Sequence, residues 1–212
     1  KSTRVVEGDK VEEAGEVMGV AFGTFLWRWL LAWLPAGSDI PLFPLPAGTA
    51  NVLAEETGLP TNPRGAAAEF PSLTAERGPL GVVHYSNPRP GSRHFLLMCG
   101  TGVDASIVYH LDTRLKDYMG QGVYWVGSIE QLQRKFESFE IRMNGETHLS
   151  TFAVISKSRR YAGKLTLTPN AHLLAEHFEV VVFHSDSPLR YIGYIAQIAT
   201  QTLDQFPDVS FH

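Results

Sequence analysis

The chain has 212 residues, 44% of them hydrophobic, and carries 18 Lys and Arg against 22 Asp and Glu for a formal net charge of -4. That length holds one large core or two smaller ones, and the weakly acidic balance provides no basic field, so nucleic acid is not expected as a partner. The single cysteine, Cys99, excludes an intrachain disulfide and fits a reducing, cytoplasmic compartment; no secretory leader pattern is read at the start.

Val11 to Leu34 has the length and residue types of a helix, with Glu12, Glu13 and Glu16 near its N-terminus. Its apolar part, from Val17, approaches the length of a membrane span, but Gly19, Gly23, Thr24 and Arg28 interrupt it. The preferred reading is a buried helix ended by Pro35, with a helix touching the membrane surface or a true span as the alternatives. Pro41 to Leu45 is a short apolar run that suits a strand, feeding the Ala47-Gly48-Thr49 turn. Ala50 to Glu56 then reads as a helix stopped by Gly58 and Pro60. Strand, tight turn and helix in close succession make an α/β unit.

From Gly81 the pattern changes to β-like runs at Val82–Tyr85, His94–Cys99, Phe139–Met143, His148–Ile155, Lys164–Thr168 and Phe178–Phe183. Asn144-Gly145 marks a hairpin, because both residues tolerate positive φ. Helical spacing of apolar residues predicts helices over Gly127–Phe136 and Arg190–Leu203. Pro71, Gly78 and Pro79 place a boundary between an α/β domain over residues 1–75 and a mainly-β, sandwich-like domain over 76–212.

Chemistry concentrates at the first turn. Gly48 permits close backbone approach, Thr49 offers a hydroxyl, and the free N–H groups of the following helix favour an anionic phosphate, while Thr49 or Asn51 could equally be an ordinary helix cap. The run Ser156-Lys157-Ser158-Arg159-Arg160 reads as a solvated loop, with phosphate or an anionic lipid surface as its alternative ligand. The eight histidines show no HxxxH or HExxH spacing, so no zinc site is expected.

PLPAGTANVLAEETGLP, Pro44 to Pro60, resembles the second nucleotide-binding motif of the diacylglycerol kinase superfamily, which includes the sphingosine kinase-like enzymes. CGTGVDA, Cys99 to Ala105, is similar to that family's GxGFDA segment. Lys116, Gly120 and Tyr124 match a following K, G and Y pattern. Tyr161 to Phe183 resembles a later stretch of the family at Gly163, Pro169, Ala171, Leu173 and Phe178. The resemblance spans Val11 to Phe183. It implies an N-terminal α/β nucleotide-binding domain, a β-sandwich-like lipid-binding domain, and transfer of the γ-phosphoryl of ATP, with magnesium, to a lipid hydroxyl at or near the membrane surface. It assigns Gly48, Thr49, Asn51 and Asp9 to ATP, Asp104 to the lipid head group and Glu176 to the metal. The general-base glutamate is expected in a DGE segment past His212.

Several positions depart from the family pattern. Glu7-Gly8-Asp9-Lys10 stands where a GGDGT loop is expected, Val52 follows Asn51 where many relatives carry Asp, and Ala175 occupies the magnesium-linked aspartate position, with Glu176 one place on. These substitutions leave a catalytically impaired, lipid-binding relative as the second reading. An NAD-kinase-type enzyme, also an α/β domain joined to a β-rich one, is the third.

Overall fold

The structure is a computed structural model that describes residues 19–22, 42–48, 50–86, 89–102, 136, 138–161 and 165–212. Asp9, Thr49, Asp104, Gly163, the Lys116 to Tyr124 pattern and nearly all of the helix expected over Gly127–Phe136 lie outside the described residues.

The first described strand, β1 (Gly19–Phe22), pairs in parallel with β2 (Leu42–Leu45), Gly19 opposite Leu42 and Phe22 opposite Leu45. Over these four residues the expected helix is therefore a strand. The physical reason is that a continuous apolar run suits a buried parallel strand as well as a buried helix, and periodicity alone does not separate them. β2 leads through Pro46 and Ala47 to the short helix α1 (Val52–Thr57), as anticipated. Gly58 ends α1 in the left-handed region at φ 73. A second helix, α2 (Pro63–Glu69), had no forecast. Asn62 caps it by accepting from the Gly65 N–H at 2.8 Å, and Pro63 opens it. Phe70, just beyond, meets Phe43 of β2 edge-on at 5.0 Å and so packs α2 against the β1/β2 pair.

The rest of the described chain is sheet-rich. β3 (Gly81–Tyr85) pairs with β4 (Gly91–Phe95), and β6 (Phe139–Met143) with β7 (Glu146–Ser150), both antiparallel. The β6/β7 turn is the expected Asn144-Gly145, at φ 50 and 81. β5 (Met98–Gly102), β8 (Phe152–Ser156), β11 (Glu179–Phe183) and β12 (Val209–Phe211) form one antiparallel sheet in the order β12-β11-β8-β5. The short β9 (Arg160–Tyr161) and β10 (Leu165–Thr166) pair beside it. Two expected strands are each divided. His94–Cys99 breaks between β4 and β5. His148–Ile155 breaks at Thr151, whose buried N–H donates to the Phe183 carbonyl at 3.0 Å and whose hydroxyl donates to the Ser185 carbonyl at 2.6 Å.

The core lies between this sheet and helix α3 (Pro188–Thr200), which follows the expected apolar stripe. Phe152 and Phe183 stack at 4.5 Å, and Tyr191 and Tyr194 of α3 close over them with Ile198, Leu203 and Val209. Burying each such side chain contributes about 1.5–3 kcal/mol. Tyr194 Oη donates to Asp208 at 2.5 Å, which ties α3 to the start of β12. No helix among the described residues is long and apolar enough to cross a membrane.

Candidate functional site

The turn after β2 is built on a hydrogen bond inside its own motif. Asn51 adopts the left-handed region, φ 44 and ψ 40, and its Oδ1 accepts from the Gly48 N–H at 2.8 Å. Asn51 thus stands at the N-cap of α1 with its side chain turned back on the loop, so it orders the turn instead of capping the helix. Its backbone carbonyl accepts the first helical bond, from the Glu55 N–H at 3.1 Å. Gly48 is exposed.

Glu56, near the end of α1, joins this turn to a segment about a hundred residues away. Its side chain is 3% exposed. Oε2 accepts from Ser158 Oγ at 2.9 Å and from the Arg160 N–H at 3.1 Å, and Oε1 accepts from Arg159 Nε at 3.1 Å. The Ser156–Arg160 run is therefore not the solvated loop that its charges imply. Ser156, Lys157 and Ser158 are all buried, Ser156 Oγ donates to the Ser158 carbonyl at 2.7 Å, and Thr168 Oγ1 donates to the same carbonyl at 2.6 Å. A charge run stays in water by default, and here a buried carboxylate together with neighbouring hydroxyls and carbonyls replaces that water.

Lys157 carries the largest electrostatic cost of the group. It is 1% exposed, its Nζ donates to the Ala175 carbonyl, and the ammonium lies over the Phe178 ring, 5.8 Å from the centroid. Burial pulls its pKa below the usual lysine value, and the Glu176 carboxylate opposes that shift. Glu176 itself is exposed. The neighbouring buried acid, Glu179, has both oxygens occupied by Asn170, from its N–H at 2.7 Å and its Nδ2 at 3.1 Å. It acts as a staple of the 169–179 loop.

Of the residues assigned from sequence, the structure places Gly48 and Asn51 in direct contact, and Glu176 lies on the loop that Lys157 supports. No group of three or more His, Cys, Asp or Glu suited to a metal ion occurs among the described residues. A single exposed carboxylate beside an ammonium does not fit a divalent cation, which requires several oxygen ligands. Sequence reasoning missed Glu56, Ser158 and Lys157 as partners. The available signal was the two-acid pair Glu55-Glu56 on a six-residue helix, too short to specify what the second acid meets.

No protein-family model matches the chain. Over 157 residues it is 32% identical to proteins named diacylglycerol kinase in two strains of Mycobacterium tuberculosis, a match covering 72% of this chain. The chain spans about half the length of these curated relatives, 50% by alignment. A solved protein of Bacillus anthracis, provisionally named a diacylglycerol kinase, superposes with a TM-score of 0.62 at 20% identity, covering 91% of this chain and 63% of that one. A second Bacillus anthracis structure, named a diacylglycerol kinase, gives 0.54 at 21% identity over 84% of this chain and 57% of that one. At these identities the structural likeness concerns the fold, and the sequence match carries the family relation.

Proposed function

Because the chain is a homologue within the diacylglycerol kinase-like superfamily, we propose that it forms part of an ATP-dependent lipid kinase that moves the γ-phosphoryl group to the hydroxyl of diacylglycerol or a related lipid. The observation that carries this reading is the Gly48–Asn51 turn: an exposed glycine, held by Asn51 Oδ1, between a parallel strand pair and a helix start. Such a turn presents backbone N–H groups and a helix end to phosphate. In this reading Gly48, Thr49 and Asn51 order the phosphates with Asp9 nearby, and Asp104 faces the lipid head group. The frame is a nucleotide-binding α/β domain followed by a sandwich-like lipid domain, cytoplasmic and peripheral at the membrane. Phosphoryl transfer in general is catalysed by positioning and charge stabilisation, and magnesium carried with ATP supplies neutralisation of the phosphate charge.

The test is transfer of label from γ-labelled ATP to diacylglycerol in mixed micelles by the full-length protein. Labelled phosphatidic acid is expected, and its absence with diacylglycerol, sphingoid and ceramide-like acceptors alike refutes the kinase reading. One set of observations favours the second reading, a lipid-binding relative without turnover: Val52 and Ala175 are apolar where acids are expected, and Lys157 fills the space beside Ala175. That reading gives vesicle binding with no labelled product.

A further inference from the structure

The family relation implies a divalent ion at the loop that carries Ala175 and Glu176, and the residues present do not fit one. Three features of this loop attract positive charge: the Ala175 carbonyl oxygen, the face of the Phe178 ring and the Glu176 carboxylate. All three answer to one group, the Lys157 ammonium, which donates to the carbonyl, lies 5.8 Å from the ring centroid and is drawn electrostatically to Glu176. Lys157 reaches the loop from a fixed base. It directly follows β8, its N–H donates to the Leu97 carbonyl at 2.8 Å, and the next residue, Ser158, is held by Glu56. The loop has little regular structure of its own. Between Thr168 and β11 it makes turns, closed by the Ala171 N–H on Thr168 at 3.2 Å and the Ala175 N–H on His172 at 3.1 Å.

We infer that the Lys157 ammonium is a built-in cation that closes the 169–178 loop in the place of a divalent metal, so that this loop takes no metal ion. A carbonyl oxygen and a carboxylate are what a hard cation would seek. An ammonium covalently tied to β8 occupies the carbonyl and lies within electrostatic reach of the carboxylate, with no dependence on ion concentration. Whether the protein transfers phosphate is a separate matter, because the inference concerns the nucleotide-free loop.

The experiment uses the nucleotide-free protein, with Mn2+ binding followed by its free-ion paramagnetic resonance signal and thermal midpoints measured with and without Mg2+. The wild-type protein is expected to show no Mn2+ binding that Glu176→Gln removes, and no Glu176-dependent midpoint rise in Mg2+. Lys157→Met is expected to lower the midpoint by about 4 °C or more. The paired change Lys157→Asn with Ala175→Asp, checked for folding by circular dichroism, is expected to create a site binding Mn2+ roughly tenfold or more tighter than the wild-type protein. Mn2+ binding by the wild-type protein that is lost in Glu176→Gln overturns the inference. So does a folded double variant that remains indifferent to Mn2+. The wild-type and Glu176→Gln comparison decides the matter even if the double variant fails to fold.

Discussion

Glu56 accepts three hydrogen bonds from three consecutive residues, Ser158, Arg159 and Arg160, that lie 102 to 104 positions away in the chain. The contact couples the helix that follows the Gly48–Asn51 turn to the strand end that carries Lys157. A displacement of either element therefore reaches the other through one side chain.

Replacing Glu56 by Ala removes the acceptor of the Ser158 hydroxyl and the Arg160 N–H in a site where the carboxylate is 3% exposed, and leaves them only each other, Ser158 Oγ to the Arg160 carbonyl at 3.2 Å and the Arg160 N–H to Ser158 Oγ at 3.1 Å. The expected loss is about 1–2 kcal/mol, mostly from the two buried donors that exchange a carboxylate for a weaker local acceptor, because Arg159 is half exposed and its ion pair contributes little. Glu56→Gln keeps one carbonyl acceptor and should lose less. Urea unfolding measures both; a Glu56→Ala stability within about 0.5 kcal/mol of wild type would show that the clasp does not stabilise the fold.

Asn51 holds a left-handed backbone and also supplies the acceptor for Gly48. Asn51→Gly should keep stability within about 0.5 kcal/mol, since glycine accepts this backbone at no steric cost. Asn51→Ala should cost about 1–2 kcal/mol for placing Cβ in the left-handed region. In the kinase assay both should raise the KM for ATP, because both free the Gly48 N–H from its anchor. An unchanged KM in the Gly variant would remove Asn51 from the nucleotide site.

Local features were legible in the sequence where one or two residues dictate backbone geometry. The Gly48 turn, the Gly58 stop, the Asn144-Gly145 hairpin and the apolar stripe of α3 are of this kind. The strand at Gly19–Phe22 was not, because an apolar run without polar alternation gives no period and its pairing with Leu42–Leu45 is a tertiary choice. Burial of Lys157 was hidden for a similar reason. Its partners Ala175 and Phe178 lie about twenty residues on, and nothing in a carbonyl or a ring identifies them from sequence as the ligands of an ammonium.

Gly102 and Gly145 share a positive φ, 78 and 81, but their surroundings differ. A Cβ at Gly102 would lie 2.2 Å from the Thr151 carbonyl oxygen and 2.7 Å from the Phe139 ring, whereas one at Gly145 meets nothing within 4 Å. Gly145→Ala should therefore cost only the backbone term, about 1–2 kcal/mol. Gly102→Ala must also push β5 off the Thr151 bend and should cost about 3 kcal/mol or more. Gly102 immediately precedes Val103 and Asp104, so under the lipid-kinase reading proposed above the same change should depress lipid phosphorylation beyond its effect on stability. Equal unfolding midpoints for the two variants would contradict the close packing at Gly102.

A pH dependence should arise where three histidines meet at the edge of the sheet. His148 and His212 rings are 4.5 Å apart, and His148 Nε2 lies 3.6 Å from Glu146. His184 Nδ1 is 2.7 Å from the Leu149 carbonyl, which only accepts, so Nδ1 carries the proton and neutral His184 accepts at Nε2 from Ser210 Oγ at 2.9 Å. Ser210 has one proton to give, so His212 Nε2–H must donate to it, also at 2.9 Å. Burial, then the neighbouring His148, lowers the His212 pKa below 6.5; Glu146 opposes this and His184 adds to it. The unfolded chain therefore binds more protons than the folded one in this range. The stability from neutral His212 is full above the unfolded value of 6.5 and is lost progressively as pH falls through and below it. His212→Gln removes the titration and can still donate to Ser210. Its urea midpoint should fall less between neutral and mildly acidic pH than the wild-type midpoint does, and parallel curves for the two proteins would assign the acid sensitivity to other groups.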